Sequence, residues 1–268
     1  GYKGGYGWEC RSLWTTEPPK KLVGCDAEGL ELRCLGHYMA LYDGGEYAER
    51  AINGDKSKGT DVHTLTKNVC GLSSRDFAKT LNYAYLYGAG DVKLGMTVVA
   101  DFDDEKRARF YAKYPAGQRR TRALARVGRK RRDALEQGLP ALGKLQNAIQ
   151  STVQQRGGYL RALDGRMLPV RKKHAALNTL LQSAGSIVMK RALVFTDNML
   201  RAEDYIPGED YEFVANSHDE FQIEAEEDLA EKTGQTAAEA IRLAGEFYGF
   251  RCELAGDYSV GTSWAETH

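Results

Sequence analysis

The stretch Arg75-Asp76-Phe77-Ala78-Lys79-Thr80-Leu81-Asn82-Tyr83-Ala84-Tyr85-Leu86-Tyr87-Gly88 organises the reading of this chain. Ser73 and Ser74 precede it as capping residues and Gly88 and Gly90 close it, which predicts a helix from Arg75 to about Leu86. Arg75, Lys79, Tyr83 and Tyr87 recur every four residues. At about 3.6 residues per turn they form one slowly drifting stripe, with two cations leading two aromatics. Arg75 and Lys79 suit a polyphosphate held by charge-assisted hydrogen bonds, and Tyr83 offers its ring to a base or sugar. Gly88 beside Tyr87 leaves room for a base pair to approach. The same spacing also describes a helix on whose surface Arg and Tyr side chains merely stack.

Working outward, Leu22 to Cys25 predicts a strand that ends at Asp26, and helices follow from about Leu30 to Tyr42 and from Glu46 to Asn53. Asp61 to Asn68 offers a capped start for another helix. The opening segment to Lys21 is rich in Gly, Pro and aromatic residues, which predicts irregular or extended chain. Downstream, Leu139 to Gln155 reads as helix, Tyr159 to Val170 as a hairpin and Ala175 to Leu200 as a long helix. Tyr211 to Ser217 and Phe221 to Ala225 alternate partly around His218, Asp219 and Glu220, the pattern of a tight hairpin. Thr233 to Phe247 reads as an amphipathic helix and Arg251 to Leu254 as a last strand. Strands that come singly or as hairpins between helices predict an α+β layer architecture.

The composition agrees with a folded protein, since 42% of the 268 residues are hydrophobic and 28% charged. No run approaches the roughly 20 apolar residues that span a bilayer, and Gly1 to Gly5 carries no apolar signal core, which predicts a cytoplasmic, non-membrane protein. Five cysteines without a CxxC pair predict reduced thiols rather than a zinc site or a disulfide framework. Net charge is zero, but its distribution is segregated. Twelve Lys or Arg and no Asp or Glu lie between Lys106 and Arg132, whereas Asp101 to Glu105 and Asp219 to Glu231 are acidic. That segregation predicts one anion-binding face and one metal-binding or solvated face.

Asp26 after a strand and Asp219 at a hairpin tip are each ordinary as solvated or capping residues. Together, at the edge of one sheet, they suit Mg²⁺, which takes one or two protein carboxylates and completes its shell with water and phosphate. Two such ions serve an in-line phosphoryl transfer.

Three ordered segments carry a resemblance. Asp26-Ala27-Glu28-Gly29-Leu30-Glu31-Leu32-Arg33 resembles motif A of family A DNA polymerases of the phage replicative type. Arg75-xxx-Lys79-xxx-Tyr83-xxx-Tyr87-Gly88 resembles motif B, and His218-Asp219-Glu220 resembles motif C. The likeness runs on through His63, Leu163-Asp164-Gly165-Arg166, the stretch from His174 to Gly185, and Trp264-Ala265 just before His268. It covers nearly the whole chain from Glu9.

The resemblance implies a palm, with an antiparallel sheet and packed helices, and a helical fingers subdomain, without thumb or exonuclease. It puts the first palm part at 1–60, the fingers at 61–158 and the second palm part at 159–268. It implies DNA synthesis from dNTPs on a primer–template, with two Mg²⁺ ions held by Asp26, Asp219 and the carbonyl of Ala27, and with Glu220 assisting. Arg75, Lys79 and His63 would grip the triphosphate, Lys79 offsetting charge on the leaving pyrophosphate. Glu31 would select the sugar, and Tyr83 would accept dideoxynucleotides. Tyr87, Gly88, Arg166, Asn178, Gln182 and His218 would lie along the DNA. The missing parts imply a separate polypeptide with thumb and 3′-5′ exonuclease, hence a split or truncated polymerase. The basic run, with Arg119, Arg120, Arg122, Arg126, Arg129, Lys130, Arg131 and Arg132, falls where the fingers carry a variable insertion, and reads equally as a DNA-touching or a solvated helix. Two other functions fit parts of the sequence, a noncatalytic DNA-binding remnant and a single-subunit RNA polymerase-like enzyme.

Overall fold

The computed structural model describes residues 5–172 and 175–268. His174, which heads one of the runs quoted above, lies outside the described residues. In chain order the first elements are α1 (Gly7–Ser12), β1 (Lys21–Ala27), α2 (Leu30–Asp43), α3 (Glu46–Asn53), α4 (Val62–Cys70), α5 (Arg75–Leu86), α6 (Asp91–Ala100), α7 (Asp104–Lys113) and α8 (Gln118–Gly138). They continue with α9 (Pro140–Gln155), β2 (Tyr159–Arg161), β3 (Met167–Pro169), α10 (Ala176–Ala202), β4 (Tyr211–Ser217), β5 (Glu220–Ala225), α11 (Ala230–Phe247), β6 (Gly256–Gly261) and α12 (Trp264–Thr267). Two compact units result, one of Gly1–Cys34 with Ser183–His268 and one of Leu35–Gln182. The division falls within α2 and α10, two helices whose hydropathy shows no break.

The first unit is built on an antiparallel sheet of order β4-β5-β1-β6. β1 pairs with β5 from Lys21↔Ala225 to Asp26↔Glu220, and with β6 from Leu22↔Gly261 to Ala27↔Gly256. As a central strand it buries Leu22, Val23, Gly24 and Cys25 in succession, which is why it reads as a continuous apolar run. Val23, Phe221, Ile223 and Ile241 are wholly excluded from solvent, each worth about 1.5–3 kcal/mol of burial. α11 lies on the sheet through small residues. At Gly234 a Cβ would come within 2.2 Å of the Tyr258 ring. α12 docks against β1 where Gly24 has no side chain, since a Cβ there would meet the Thr267 carbonyl at 2.3 Å. In β4 the register shifts between Phe213 and Ala215, so exposed Val214 is the extra residue of a bulge.

The second unit is helical, apart from the β2–β3 hairpin. Its tightest joint is between α6 and α8. A Cβ at Gly95 would lie 2.0 Å from the Leu124 carbonyl, and one at Gly128 would lie 1.9 Å from that of Asp91. Leu94, Val98 and Val99 pack there with Leu124 and Leu135, and Leu142, Leu145 and Ile149 extend the core along α9. Pro140 at the first turn of α9 separates it from α8.

Two expectations need correction. The opening segment is not wholly irregular, because it contains α1. The Arg11 guanidinium lies 5.7 Å over the Trp264 ring and Trp14 meets Trp264 edge-on at 6.5 Å. Aromatic residues from the far end of the chain thus anchor a segment whose composition reads as punctuation. Arg251 to Leu254 is not a strand. Cys252 and Leu254 are buried, mimicking strand alternation, but the edge strand that pairs with β1 is Gly256–Gly261. In the segment after Gly90 the basic run, read as a DNA-touching or a solvated helix, is helical in α8, and α6 and α7 precede it. Asp103 caps α7 by accepting from the Lys106 amide at 2.7 Å. All five cysteines are free and four are buried. Among the described residues no helix is long and apolar enough to cross a membrane.

Candidate active site

In the first unit the sheet register brings three carboxylates together. Asp26 lies opposite Glu220 on β5 and opposite Asp257 on β6. Asp219 sits beside them in the two-residue turn between Ser217 and Glu220, and its carbonyl accepts from the Ala27 amide at 2.8 Å. The other turn residue, His218, has φ of 56°, a left-handed conformation rarely held by a non-glycine residue. That turn is held by pairing on both flanks, and it projects Asp219 rather than tucking it into the ladder.

The electrostatics follow from this crowding. Desolvation by the sheet, then the charges of Asp219, Glu220 and Glu31, push the Asp26 carboxyl up to about 7, while His268 opposes the rise. Desolvation, Glu31 and Glu220 also raise Asp219, partly offset by its backbone hydrogen bond and by His218. A pair of carboxylates held partly desolvated and mutually repelling is stabilised by a cation between them.

Glu220 has a different environment. It is buried, and its oxygens accept from Trp264 Nε1 at 2.6 Å, from Gln222 Nε2 and from the His268 ring. Gln222 in turn accepts from the Thr267 hydroxyl at 2.7 Å. Three protein donors occupy Glu220, which suits a residue that braces the site.

In the second unit, α5 presents the cationic and aromatic stripe. Ser74 caps it by accepting from the Phe77 amide. Asp61 caps α4 through the His63 amide at 3.0 Å, and also accepts from Arg75 Nε at 3.0 Å and from the Thr64 hydroxyl at 2.6 Å. Burial works against the Asp61 charge, but Arg75, Thr64 and the His63 amide together hold the carboxyl down at about 2. Arg75 is thereby fixed against α4, while Lys79 is exposed with no ion pair among the described residues. Tyr83 stacks on Tyr87 at 6.3 Å between ring centres and lies 6.1 Å from the His63 ring. Gly88, at φ of 73°, ends the helix.

His63 is buried, and desolvation followed by the Arg75 charge lowers its pKa to about 4. The Asn82 amide oxygen accepts from the Thr66 hydroxyl at 2.9 Å, which turns its nitrogen toward His63 Nδ1 at 3.1 Å. A neutral His63 therefore accepts at Nδ1 and carries its proton on Nε2, as a donor. Because the folded pKa is depressed, the associated stability is complete above about 6.5 and is lost as pH falls through about 4. Up to roughly 3 kcal/mol is at stake over that interval. Asp26, raised to about 7, acts in the opposite sense over the same interval, so His63 is read from the difference: the urea midpoint of this chain should lose ground to that of a His63→Gln variant as pH falls from about 6.5 to 4, and parallel profiles would contradict the assignment.

The remaining candidates lie in the second unit. Asn178 and Gln182 are one turn apart on α10. Arg166 is exposed at the β2–β3 turn, its Nε 2.6 Å from Asp164.

A sequence profile of DNA polymerase family A matches residues 2–266. The chain belongs to DNA polymerase family A. The DNA-directed DNA polymerases of Enterobacteria phage T3 and Escherichia phage T7 are each 35% identical to it over 292 residues, covering 100% of this chain and 37% of the relative. The chain thus spans well under half the length of these phage proteins. Its fold matches the POL domain of Pol1 from M. smegmatis in complex with DNA primer-template and dNTP, with a TM-score of 0.71, over 99% of this chain and 44% of that one. At 16% identity that likeness is one of fold. The family and the α+β class both agree with the reading of the three motifs.

Within this family A chain, sequence reasoning missed Asn82 as the orienter of His63, and missed His268 and Trp264 as partners of Glu220. Asn82 lies in the quoted helix, but only the packing of α4 on α5 shows what it meets. Trp264 and His268 are 44 and 48 residues from Glu220, so no local pattern signals the contact.

Proposed function

We propose that this chain carries the catalytic palm and fingers of a template-directed DNA polymerase, with the palm at 1–60 and 159–268 and the fingers at 61–158. The observation that carries the reading is the crowding of Asp26 and Asp219 at one end of the central strands, with Asp26 pushed up to about 7. The reaction is nucleotidyl transfer: the primer 3′-hydroxyl loses its proton, its oxygen bonds to the α-phosphorus of a dNTP, and pyrophosphate leaves with the electrons of the broken P–O bond.

The donor set fits Mg²⁺, since two carboxylates with the Ala27 carbonyl leave room for phosphate oxygens and water. Among the described residues no group of three or more His, Cys, Asp or Glu forms a metal cage. When bound, two such ions supply Lewis-acid stabilisation of attacking and leaving oxygens. Asp26 and Asp219 hold the charge that positions them, and Glu220 braces the turn. Arg75, Lys79 and the Nε2 proton of His63 bind the triphosphate, with Lys79 opposing charge on the pyrophosphate.

In this reading Glu31 packs against the sugar and rejects a ribose hydroxyl, and preferential incorporation of deoxynucleotides over ribonucleotides would favour it over an RNA polymerase-like one. Tyr87 and Gly88 meet the template base, and Arg166, Asn178, Gln182 and His218 contact the primer–template. Primer extension with Mg²⁺ and dNTPs tests the reading, and no extension in any mixture would favour a noncatalytic remnant. The Tyr83 hydroxyl replaces the interaction a dideoxynucleotide lacks. Tyr83→Phe should raise discrimination against dideoxynucleotides by about 10- to 100-fold, the worth of one hydrogen bond near charge. A ratio unchanged in competition assays would remove that role.

We also propose a partner polypeptide bearing thumb and 3′-5′ exonuclease, working with this chain in the cytoplasm. Tyr6, Leu13 and Trp14 are 80%, 82% and 65% exposed, an apolar surface that such a partner would cover. Stimulation of extension by a thumb-bearing fragment, lost on Leu13→Asp, is the expected result.

A further inference from the structure

We propose that the outer face of α8 binds the phosphates of the unpaired template strand ahead of the insertion site; the proposal rests on the polymerase reading above. Arg119, Arg122, Arg126 and Lys130 follow one another at three- and four-residue steps, all exposed. None has an ion pair among the described residues. Between Gln118 and Arg132 the helix contains no carboxylate. Like charges at this spacing repel by a few tenths of a kcal/mol per pair, and Arg119 and Arg122 also oppose the positive end of the helix dipole. The α6–α8 joint at Gly95 and Gly128 holds the helix against that repulsion, which an external polyanion would relieve.

The other cations of α8 are used differently, and they locate the stripe. Arg132 donates to the Ala89 carbonyl and to Asp91, each at 2.8 Å, and lies 5.4 Å over the Tyr85 ring. It thereby fixes α8 beside the turn that follows α5, where Tyr87 is 50% exposed. Arg129 flanks the stripe on that side, 3.9 Å from Asp91. At the opposite end Arg120 donates to the Tyr114 carbonyl at 2.9 Å and covers the partly exposed Tyr111 ring at 4.8 Å.

A cationic track with an aromatic ring near each end is the arrangement that binds single strands without sequence preference. Successive stripe cations lie about 4.5–6 Å apart along the helix axis, comparable with phosphates along a strand. A base stacked at Tyr87 would lead its backbone onto this face. An acidic protein segment would meet the charge but would leave the exposed rings unused.

The test is fluorescence anisotropy of the whole chain on two hairpin primer–templates, one with a long unpaired template overhang and one with a single unpaired nucleotide, across a salt series. Arg119→Gln, Arg122→Gln, Arg126→Gln and Lys130→Gln are combined in one variant, and Arg119→Lys, Arg122→Lys and Arg126→Lys in another. Each phosphate contact on a single strand contributes roughly 0.7 to the salt slope, so the neutralised variant should lose up to about 3 on the long-overhang DNA. Its slope on the short-overhang DNA, and both slopes of the charge-preserving variant, should not move. An unchanged slope on the long overhang overturns the proposal, as does an equal loss on both DNAs, which assigns the face to duplex. Stripe-dependent binding of poly-glutamate with unchanged DNA slopes assigns it to an acidic protein instead. Thermal melting at or above the unsubstituted value shows that the variant is folded. Extension of the short-overhang DNA by the unsubstituted chain tests the polymerase reading separately.

Discussion

Replacing Asp219 with Asn should reduce primer extension by at least about 10³-fold, a loss of roughly 4 kcal/mol in transition-state stabilisation. The amide matches the carboxylate in shape but carries no charge to hold a divalent cation against the dNTP phosphates. Asp26→Asn should behave alike. Stability should move the other way. Asp219 is raised by desolvation and by the charges of Glu31 and Glu220, so neutralising it relieves repulsion, and melting should occur at an equal or higher temperature. A site held at a cost to stability is the expected signature of function. Extension within about tenfold of the unsubstituted chain would sink the assignment of Asp219.

The second large effect is expected on stability, at Gly128. Glycine inside a helix ordinarily costs about 1 kcal/mol relative to alanine, so Gly→Ala should be favourable where space allows. At Gly128 there is none, because the new Cβ would lie 1.9 Å from the Asp91 carbonyl oxygen and 2.7 Å from the Gly95 nitrogen. Two backbones would have to separate, and Gly128→Ala should destabilise by about 3 kcal/mol or more. Gly143 in α9 is the control, since its nearest neighbour to a Cβ is the Glu136 carbonyl at 3.8 Å. Gly143→Ala should be neutral or stabilising by up to about 1 kcal/mol. Urea denaturation of the two variants checks the opposite signs. The same separation would draw Arg132 from Asp91 and Ala89, so Gly128→Ala should also weaken binding of long-overhang DNA.

Much of the architecture was legible because its signals are local. The Ser74 cap, the four-residue stripe and Gly88 delimit α5, and Asp61 marks the start of α4. The apolar runs on either side of His218 and Asp219 mark the central hairpin. Where the reading failed, the deciding partner was remote. α1 is anchored by Trp264, and the last strand is displaced to Gly256–Gly261 because only there does the chain meet β1. Leu254 instead fills space beside Gly245, where a Cβ would be 3.0 Å from it. α6 contains the apolar Leu94, Val98 and Val99, but Gly95 weakens its helical signal, and the backbone that this glycine admits, at Leu124 in α8, is remote in sequence.

The sequence by itself determined the family, the order of the three motifs and the residue types available for chemistry, since each depends on short-range spacing and side-chain identity. Only the tertiary structure decided how those groups are tuned. It set Asp26 against Glu220 and Asp257 by strand register, occupied Glu220 with Trp264, Gln222 and His268, and turned the proton of His63 to Nε2 through Asn82. It also sorted the cations of α8 into Arg120 and Arg132, which turn inward, and the outward stripe from Arg119 to Lys130. Charge, burial and hydrogen-bond direction act through space over a few ångströms, and many of the residues concerned, such as Asp26 with Glu220 and Glu220 with Trp264, lie far apart along the chain.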